Sequence, residues 1–273
     1  MSQIEAQGFI ALRDDSIRVA LAVFGLILWL LFLVPPLSTW SSQYEFVQAI
    51  QFCSFAMLTP ALLVVGRPWR WLGLASGEQL QIGSDGELVA PAHPRLLDRT
   101  ALQRTKRPGH QRALPLLLVF MVLTVVWRLS SVVNAVARHP WLTIIESVTL
   151  TAVGVLFWIE LKESRPLIPS ATRPYRIAVA AVAMWTVWII AYVMAMSHNS
   201  WNPLLRPGAS LDLSTSADQQ LTAALMWFFS AAVFLPLIFS NLSRLLQSEE
   251  DPSDELYQLV RKEQSRGFFG PKF

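Results

Sequence analysis

The chain has 273 residues, of which 53% are hydrophobic and only 15% are charged. A soluble domain typically carries about 25% charged residues, so this composition predicts a membrane protein. The single cysteine, Cys53, excludes an intrachain disulfide and any cysteine cluster for zinc or iron–sulfur. The formal charge of +3 fits basic loops that orient a membrane protein, and we expect no nucleic-acid partner.

The first hydrophobic run follows a short polar leader, residues 1–16. Residues 17–37 form an apolar run that is too long for a signal peptide, and no small-residue cleavage site follows it. We therefore predict that this run is the first transmembrane helix and that two prolines, Pro35 and Pro36, end it.

The second predicted span, residues 44–66, contains no lysine or arginine. It is long enough to cross the hydrocarbon core of a bilayer, which is about 30 Å thick. On a helix, Tyr44, Gln48 and Gln51 lie on one face at its polar end. The other end leads into a strongly basic segment. We therefore predict that this span has polar side chains at one membrane surface and positive charge at the other.

The longest connection, residues 67–112, follows the second span. The segments EQLQI and ELVA flank Gly83-Ser84-Asp85-Gly86, a pattern that predicts a small hairpin. Residues 94–107 are basic and compatible with a short helix on the membrane surface. We interpret the loop as a solvated segment that orients the chain, with binding of anionic lipid or a partner as the alternative.

Four more apolar runs complete the predicted bundle: residues 113–133, 141–161, 174–196 and 219–242. The third and fourth spans each contain one charge well inside, Arg128 and Glu146 respectively. Because the connection between them is short, these spans are expected to be antiparallel neighbours with the two charges at equal depth. Unpaired charges at that depth are expensive, so we predict an ion pair, direct or through one water.

The basic residues predict the orientation of the chain. Six spans place both termini on the same side, and 19 of the 22 lysines and arginines lie there: Arg13 in the leader, Arg18 just after it, and the others in the 67–112 loop, the 162–176 segment and the 243–273 tail. By the positive-inside rule both termini are cytoplasmic. The predicted fold is therefore an all-α, polytopic bundle of six transmembrane helices.

Polar residues collect at the outer ends of the predicted spans. Polar groups at membrane depth are costly unless they are paired, so this collection predicts a site that faces out. Asp218 is also placed to cap the first turn of its own helix. The predicted outer site consists of Tyr44, Gln48, Gln51, Glu146, Asp218, Gln219 and Gln220.

Histidine and methionine residues near the same side are candidate copper ligands, because methionine favours Cu(I). The competing interpretation is that the histidines are solvated loop residues and the methionines contact lipid or the protein core. Copper as a cofactor and the absence of any cofactor therefore both stay open. The candidate ligands are His139, His198, Met194, Met196 and Met226.

Three segments resemble one known family: PALLVVGRP in the second span, GVLFWIEL in the fourth and, most specifically, DQQLTAALMW at 218–227. They are similar to integral-membrane cytochrome c oxidase assembly factors of the CtaG type, over roughly residues 40 to 245. The resemblance implies a multi-pass protein of the bacterial inner membrane that helps to supply copper to a haem-copper oxidase. The chain departs from the family at Gln48, Gln51 and Ser147, where histidines are common.

Two functions stay open from the sequence. The first is a non-enzymatic assembly factor that assists copper delivery at the outer polar site. The second is a metal-free accessory or structural subunit of a respiratory or other membrane complex, docking through a small-residue face that includes Ser147, Thr151 and Gly154. Under both interpretations the expected partners are membrane lipid and either a haem-copper oxidase subunit or another membrane complex. No nucleophile–base pair or phosphate-binding loop in the sequence indicates an enzyme.

Overall fold

The computed structural model describes residues 3–75, 81–82, 88–89, 95, 97–98, 100, 109–164, 166–167, 169, 171–198, 200–202 and 213–250. The helix Glu45–Gly66, called α3 below, contains one π-helical turn, Ser54–Leu58, between two α-helical parts, Glu45–Cys53 and Thr59–Gly66. The elements in chain order are α1 Gln3–Leu31, α2 Leu37–Ser41, α3 Glu45–Gly66, β1 Gln81–Ile82, β2 Leu88–Val89, α4 Gly109–Arg128, α5 Ser130–Arg138, α6 Leu142–Leu161, α7 Arg173–Met196 and α8 Thr215–Glu250.

Four of these helices are long and apolar enough to cross a membrane: α3, α6, α7 and the Thr215–Gln247 part of α8. A fifth span results if α4 and α5, which meet at 63°, are one broken span. The predicted helical membrane bundle is confirmed at this level, with four to five candidate spans in the described part of the chain. Within α3, 67% of the apolar stretch is buried, against 33–44% in the other three, so α3 is the central helix.

Helix α1 runs along α3, and two glycines allow their backbones to approach. A Cβ atom on Gly66 would lie 2.6 Å from Ala22 Cβ and 2.7 Å from the carbonyl oxygen of Arg18, and one on Gly25 would lie 3.0 Å from Leu62 Cβ. The opposite side of α1 exposes large apolar side chains, among them Phe24, Ile27 and Leu30. This pattern is typical of a helix with one face on protein and the other in lipid.

The third span was predicted over 113–133, but the helix ends at Arg128. Leu129 adopts an extended conformation (φ −63°, ψ 134°), and α5 then leaves at 63°. Trp201 Nε1 donates a hydrogen bond to the carbonyl oxygen of Arg128 at 3.1 Å, which satisfies the end of α4. Most of the predicted connection at 134–140 is therefore helical. One face of this helix, α5, buries Val133 and Val136.

The pairing of the third and fourth spans is confirmed. Helices α4 and α6 are antiparallel neighbours, and Phe120 stacks on Phe157 with ring centroids 4.8 Å apart. At one end Arg112 forms a buried ion pair with Glu160, at 3.7 Å. The last span was predicted over 219–242, but α8 is longer at both ends, because polar residues that favour helix continue it beyond the apolar stretch.

The small-residue face of α6 is used inside the molecule. Thr151 Oγ1 donates to the carbonyl oxygen of Phe55 in the π-helical turn at 3.2 Å, and Ser147 is buried. A Cβ atom on Gly154 would lie 2.5 Å from Pro60 Cγ and 2.8 Å from the carbonyl oxygen of Ala56. The prediction that this face docks a partner is therefore wrong, since α3 already occupies it.

The predicted hairpin of the long loop is confirmed in its two strands. Strands β1 and β2 pair antiparallel, with Gln81 opposite Val89 and Ile82 opposite Leu88. The predicted turn, Gly83-Ser84-Asp85-Gly86, lies outside the described residues, as do most of the predicted surface helix at 94–107 and the tail from residue 251 onwards.

Candidate functional site

Arg128 lies at the centre of a buried group of polar side chains, at the end of the bundle where α3 and α8 begin. Only 2% of its surface is exposed. Its guanidinium lies 4.0 Å from Glu45 Oε1 and 3.5 Å from Gln48 Oε1, and its carbon Cζ lies 5.5 Å from the centre of the Phe52 ring. We call Glu45, Gln48, Arg128, Asn202, Asp218 and Gln219 the polar cluster.

Glu45 connects the polar cluster to the loop after α7. Its carboxylate faces Arg128 and also accepts a hydrogen bond from the Nδ2 amide of Asn202. Both Glu45 and Asn202 are buried, so the three side chains form a charge pair with a neutral donor attached. Such a buried carboxylate is stable only because both partners offset its lost hydration.

Asp218 caps a helix other than its own. Its two carboxylate oxygens accept hydrogen bonds from the backbone N–H groups of Glu45 and Phe46, each at 2.9 Å. These are first-turn donors of α3, which lack partners within the helix. The expected cap on α8 is instead Ser214, whose Oγ accepts from the N–H of Ala217 at 3.2 Å. The predicted capping of α8 by Asp218 is therefore wrong, and the residue joins α8 to α3.

Gln219 holds the end of α7. Its side-chain amide Nε2 donates to the carbonyl oxygens of Met194, at 2.6 Å, and Ser197, at 3.2 Å. Its Oε1 accepts from the N–H of Trp201 at 2.9 Å. Because Trp201 in turn caps α4, Gln219 and Trp201 together fix the relative positions of α4, α7 and α8.

Glu146 is 2% exposed and lies near Arg128, but the ion pair that Arg128 forms at 4.0 Å is with Glu45. Glu146 acts on Arg128 electrostatically from a greater distance. Among the described residues, its Oε2 atom has no hydrogen-bond partner. The pairing with Glu146 through a water therefore stays a prediction, and the direct partner is a residue that the sequence analysis did not select.

The other predicted members of the outer site take different positions. Tyr44 is buried at the start of α3, and Gln51 donates to the carbonyl oxygen of Phe32 at 3.0 Å. Gln220 is exposed and points away from the buried cluster. A cavity of about 410 Å³ lies beside Gln48 and Gln51, and its rim carries the hydroxyl side chains of Ser38, Thr39, Ser41, Ser42 and Thr143.

The candidate copper ligands differ in their exposure. His139 follows α5 and His198 follows α7, and both are exposed. Met194 is buried whereas Met196 is 59% exposed, so these two methionines lie on different faces of α7. Met226 is buried in α8. In the described part of the chain, no group of three or more histidine, cysteine, aspartate or glutamate residues could hold a metal ion.

Arg128 also opposes copper at Met194, one of the two fully buried candidate ligands. Its Nη2 donates to the sulfur of Met194 at 3.8 Å, so the thioether lone pair faces a cation. A Cu(I) ion on that sulfur would meet a like charge in a poorly hydrated interior, where charge repulsion is strong. The described residues therefore do not fit a copper site at this position.

The sequence analysis missed three members of this arrangement: Glu45, Trp201 and Asn202. Glu45 is an acid in a first helical turn, which is ordinarily explained by the helix dipole, and this explanation hid its role as an ion-pair partner. Trp201 and Asn202 lie in a loop, where neither periodicity nor spacing indicates which buried groups they will reach.

Comparison with known proteins gives one match. The family model described as cytochrome c oxidase caa3 assembly factor (Caa3_CtaG) matches residues 8–248. No curated protein and no solved structure matches the chain.

Proposed function

Because the chain belongs to the cytochrome c oxidase caa3 assembly factor family, we propose that it assists assembly of a haem-copper oxidase in the bacterial inner membrane without catalysing a reaction or holding copper itself. The polar cluster would then have a structural task. It ties the ends of α3, α4, α7 and α8 together and so presents a rigid surface to an oxidase subunit.

The proposed topology has six spans with both termini in the cytoplasm. Helix α1 and the bent pair α4–α5 supply the two spans beyond α3, α6, α7 and α8. Support for α1 comes from its exposed apolar side, and support for the orientation comes from the 19 basic residues on one side. In this orientation the polar cluster faces the outside of the cell.

The main support for a protein that holds no copper is the contact between Arg128 and Met194 Sδ, at 3.8 Å. A fixed positive charge stands where a copper-delivering protein would need a neutral or anionic ligand set. Gln48, whose amide oxygen faces the same guanidinium at 3.5 Å, also replaces a histidine that the family commonly has. Arg128 and Gln48 therefore support a scaffold that has kept the family's architecture without its metal chemistry.

The exposed apolar side chains of α6 and α7 offer surfaces for lipid or for an oxidase subunit. Val148, Trp185, Ile189 and Tyr192 are each about half exposed in the isolated chain. Aromatic residues such as Trp185 and Tyr192 are enriched both at membrane interfaces and in protein interfaces. These surfaces supply the membrane-embedded contact that an assembly factor requires.

Assembly can be tested in cells from which the gene has been removed. We expect the amount of assembled oxidase, measured by haem absorbance and oxygen uptake, to fall and to be restored by the wild-type gene. Arg138→Gln, which removes an exposed basic residue outside the polar cluster, should restore it equally, whereas Arg128→Ala should not. Unchanged oxidase in the deletion strain would overturn the proposed role.

Copper can be tested separately on the purified protein. After loading with Cu(I) and removal of free metal, we expect well below one copper per chain by elemental analysis. One copper per chain that disappears in Met194→Leu would overturn the metal-free form and favour copper delivery. Restoration of oxidase in the deletion strain by excess copper would point the same way.

A further inference from the structure

A second cavity lies at the other end of the bundle, where α3 and α6 end and α7 begins. Its volume is about 330 Å³. Among the described residues, five basic side chains line it, each from a different helix or from the residue that follows one, and only one acidic side chain does so. The basic residues are Arg18, Arg67, Lys162, Arg176 and Arg244, and the acidic one is Glu163. We call this cavity the basic pocket.

Glu163 neutralises only part of this charge. Its carboxylate lies 3.7 Å from Arg176 Nη1, and its carbonyl oxygen accepts a hydrogen bond from Arg67 Nη2 at 3.2 Å. In the part of the chain that the structure describes, no carboxylate forms an ion pair with Lys162 or Arg244 within 4.0 Å. Lys162 and Arg244 can therefore pair with an external anion.

The crowding of like charges affects Lys162 in particular. Burial lowers the pKa of this lysine, and the positive charges of Arg244, Arg67 and Arg18 lower it further, against the opposing effect of Glu163. A group in this situation gains from an external anion, because the anion would favour its charged form. An anion bound in the basic pocket would therefore stabilise Lys162.

Apolar side chains form one part of the wall of the pocket. Ile17 and Leu21 of α1 and Leu161 of α6 form part of its wall, and Ile17 is about half exposed. A ligand that combines an anionic group with hydrocarbon chains would satisfy both kinds of surface at once.

We propose that the basic pocket binds the phosphate group of an anionic phospholipid headgroup. The forked donors of arginine match phosphate oxygens, and basic pockets between transmembrane helices suit anionic headgroups. The acyl chains would then run along the exposed apolar surface of α1. Inorganic phosphate offers the same anionic chemistry without the chains, and the test separates the two sources.

Native mass spectrometry of the purified protein in neutral detergent tests the proposal. Three ligands are added in turn: phosphatidylglycerol, zwitterionic phosphatidylcholine and inorganic phosphate. We expect phosphatidylglycerol to bind more tightly than the other two. Lys162→Gln and Arg244→Gln should each weaken it about fivefold, since one basic residue near an anionic lipid contributes about that much.

The control variants separate the effect of the pocket from the effects of general charge and of folding. Lys162→Arg keeps the charge and should keep binding. Arg70→Gln removes a charge at the same end but outside the pocket, where Arg70 pairs at 3.3 Å with the exposed Asp15, and should bind normally. Thermal denaturation in detergent checks that each variant is folded.

Three results would overturn the proposal. Equal weakening in Arg70→Gln would mean general attraction by the basic surface. Equal binding of phosphatidylcholine and phosphatidylglycerol would remove the role of net negative charge. Inorganic phosphate binding as tightly as phosphatidylglycerol would overturn the assignment to a lipid.

Discussion

The guanidinium of Arg128 lies among packed helices, where an unpaired charge is expensive. Its neighbours offset that cost in different ways: Glu45 supplies a full negative charge, Gln48 an amide oxygen, Phe52 the face of an aromatic ring and Met194 a polarisable sulfur. Glu45 is the largest of these contributions because only a charge can neutralise a charge in a poorly hydrated interior.

We predict that Arg128→Met destabilises the protein by about 3–5 kcal/mol, because it leaves the buried carboxylate of Glu45 without its counter-charge. The double variant Arg128→Met with Glu45→Gln should recover part of the loss. Unfolding in detergent, followed by circular dichroism, measures these differences. A double-mutant cycle should give a larger coupling energy for Arg128 with Glu45 than with Glu146.

The matched control is Arg138→Met, which removes an exposed charge near the same end of the bundle and should change stability by less than about 0.5 kcal/mol. A coupling energy that is larger with Glu146 would contradict the geometry. In that case the pairing predicted from equal depth in the sequence would be the better description.

Asp218 gives a second prediction at this scale. Asp218→Ala leaves two first-turn N–H groups of α3 without acceptors, so we expect a loss of roughly 1–3 kcal/mol, the usual cost of an unsatisfied buried donor. Asp218→Asn keeps one acceptor oxygen and should lose less. Ser214→Ala, which removes the exposed cap of α8 itself, should cost about 0.5–1 kcal/mol. A greater loss in Ser214→Ala than in Asp218→Ala would contradict the assignment of Asp218 to α3.

At the scale of whole helices, α3 and α6 pack closely against each other. Pro60 has no N–H to donate to the carbonyl oxygen of Ala56, and the π-helical turn just before Pro60 widens the helix where this bond is missing. Gly154 of α6 fits against this part of α3, and Thr151 bonds to the turn. The irregular part of α3 is thus matched by small and hydroxyl-bearing residues of its neighbour.

We predict that Gly154→Ala lowers stability by about 1–3 kcal/mol, because the new Cβ would lie 2.5 Å from Pro60 Cγ and force the helices apart. The matched control is Ala152→Val, which adds volume to the exposed side of the same helix and should be nearly neutral. Thermal denaturation in detergent compares the two. A neutral Gly154→Ala would mean that α6 can move away from α3 without loss.

At the scale of the whole molecule, the predicted orientation has a direct test. In a Cys53→Ser background, Ser200→Cys should react with an impermeant thiol reagent added to intact cells, whereas Ser84→Cys should react only after the membrane is opened. The physical reason is the concentration of basic residues on the side that contains position 84. Labelling of the two positions in the reverse order would contradict the topology.

Hydrophobicity predicted the main features of the fold because it acts on long segments. The helices at 45–66, 142–161 and 173–196 agree closely with the predicted spans, since twenty apolar residues have few alternatives in a membrane. The bend at Leu129 could not be predicted in this way. It depends on Trp201, a distant loop residue whose indole satisfies the end of α4.

The candidate site was predicted less completely. Gln48, Arg128, Asp218 and Gln219 were selected from the sequence, but their partners were not predicted, because those partners lie on other helices or in a loop. Asp218 was predicted to cap its own helix, but it caps α3. Arg128 was predicted to pair with Glu146, but its ion pair is with Glu45. Local spacing describes contacts along one helix, whereas the contacts between helices depend on their rotation.

The bonds from Asp218 to α3 also bear on how the protein is made. Glu45 and Asp218 are 173 residues apart, so the ribosome synthesises the start of α3 long before the carboxylate that completes it. At about 5–20 residues per second, this interval is on the order of 10–30 s. During that time the N–H groups of Glu45 and Phe46 must bond to water or to lipid headgroups. The first turn of the most buried helix therefore gains these two acceptors only after α8 has been synthesised.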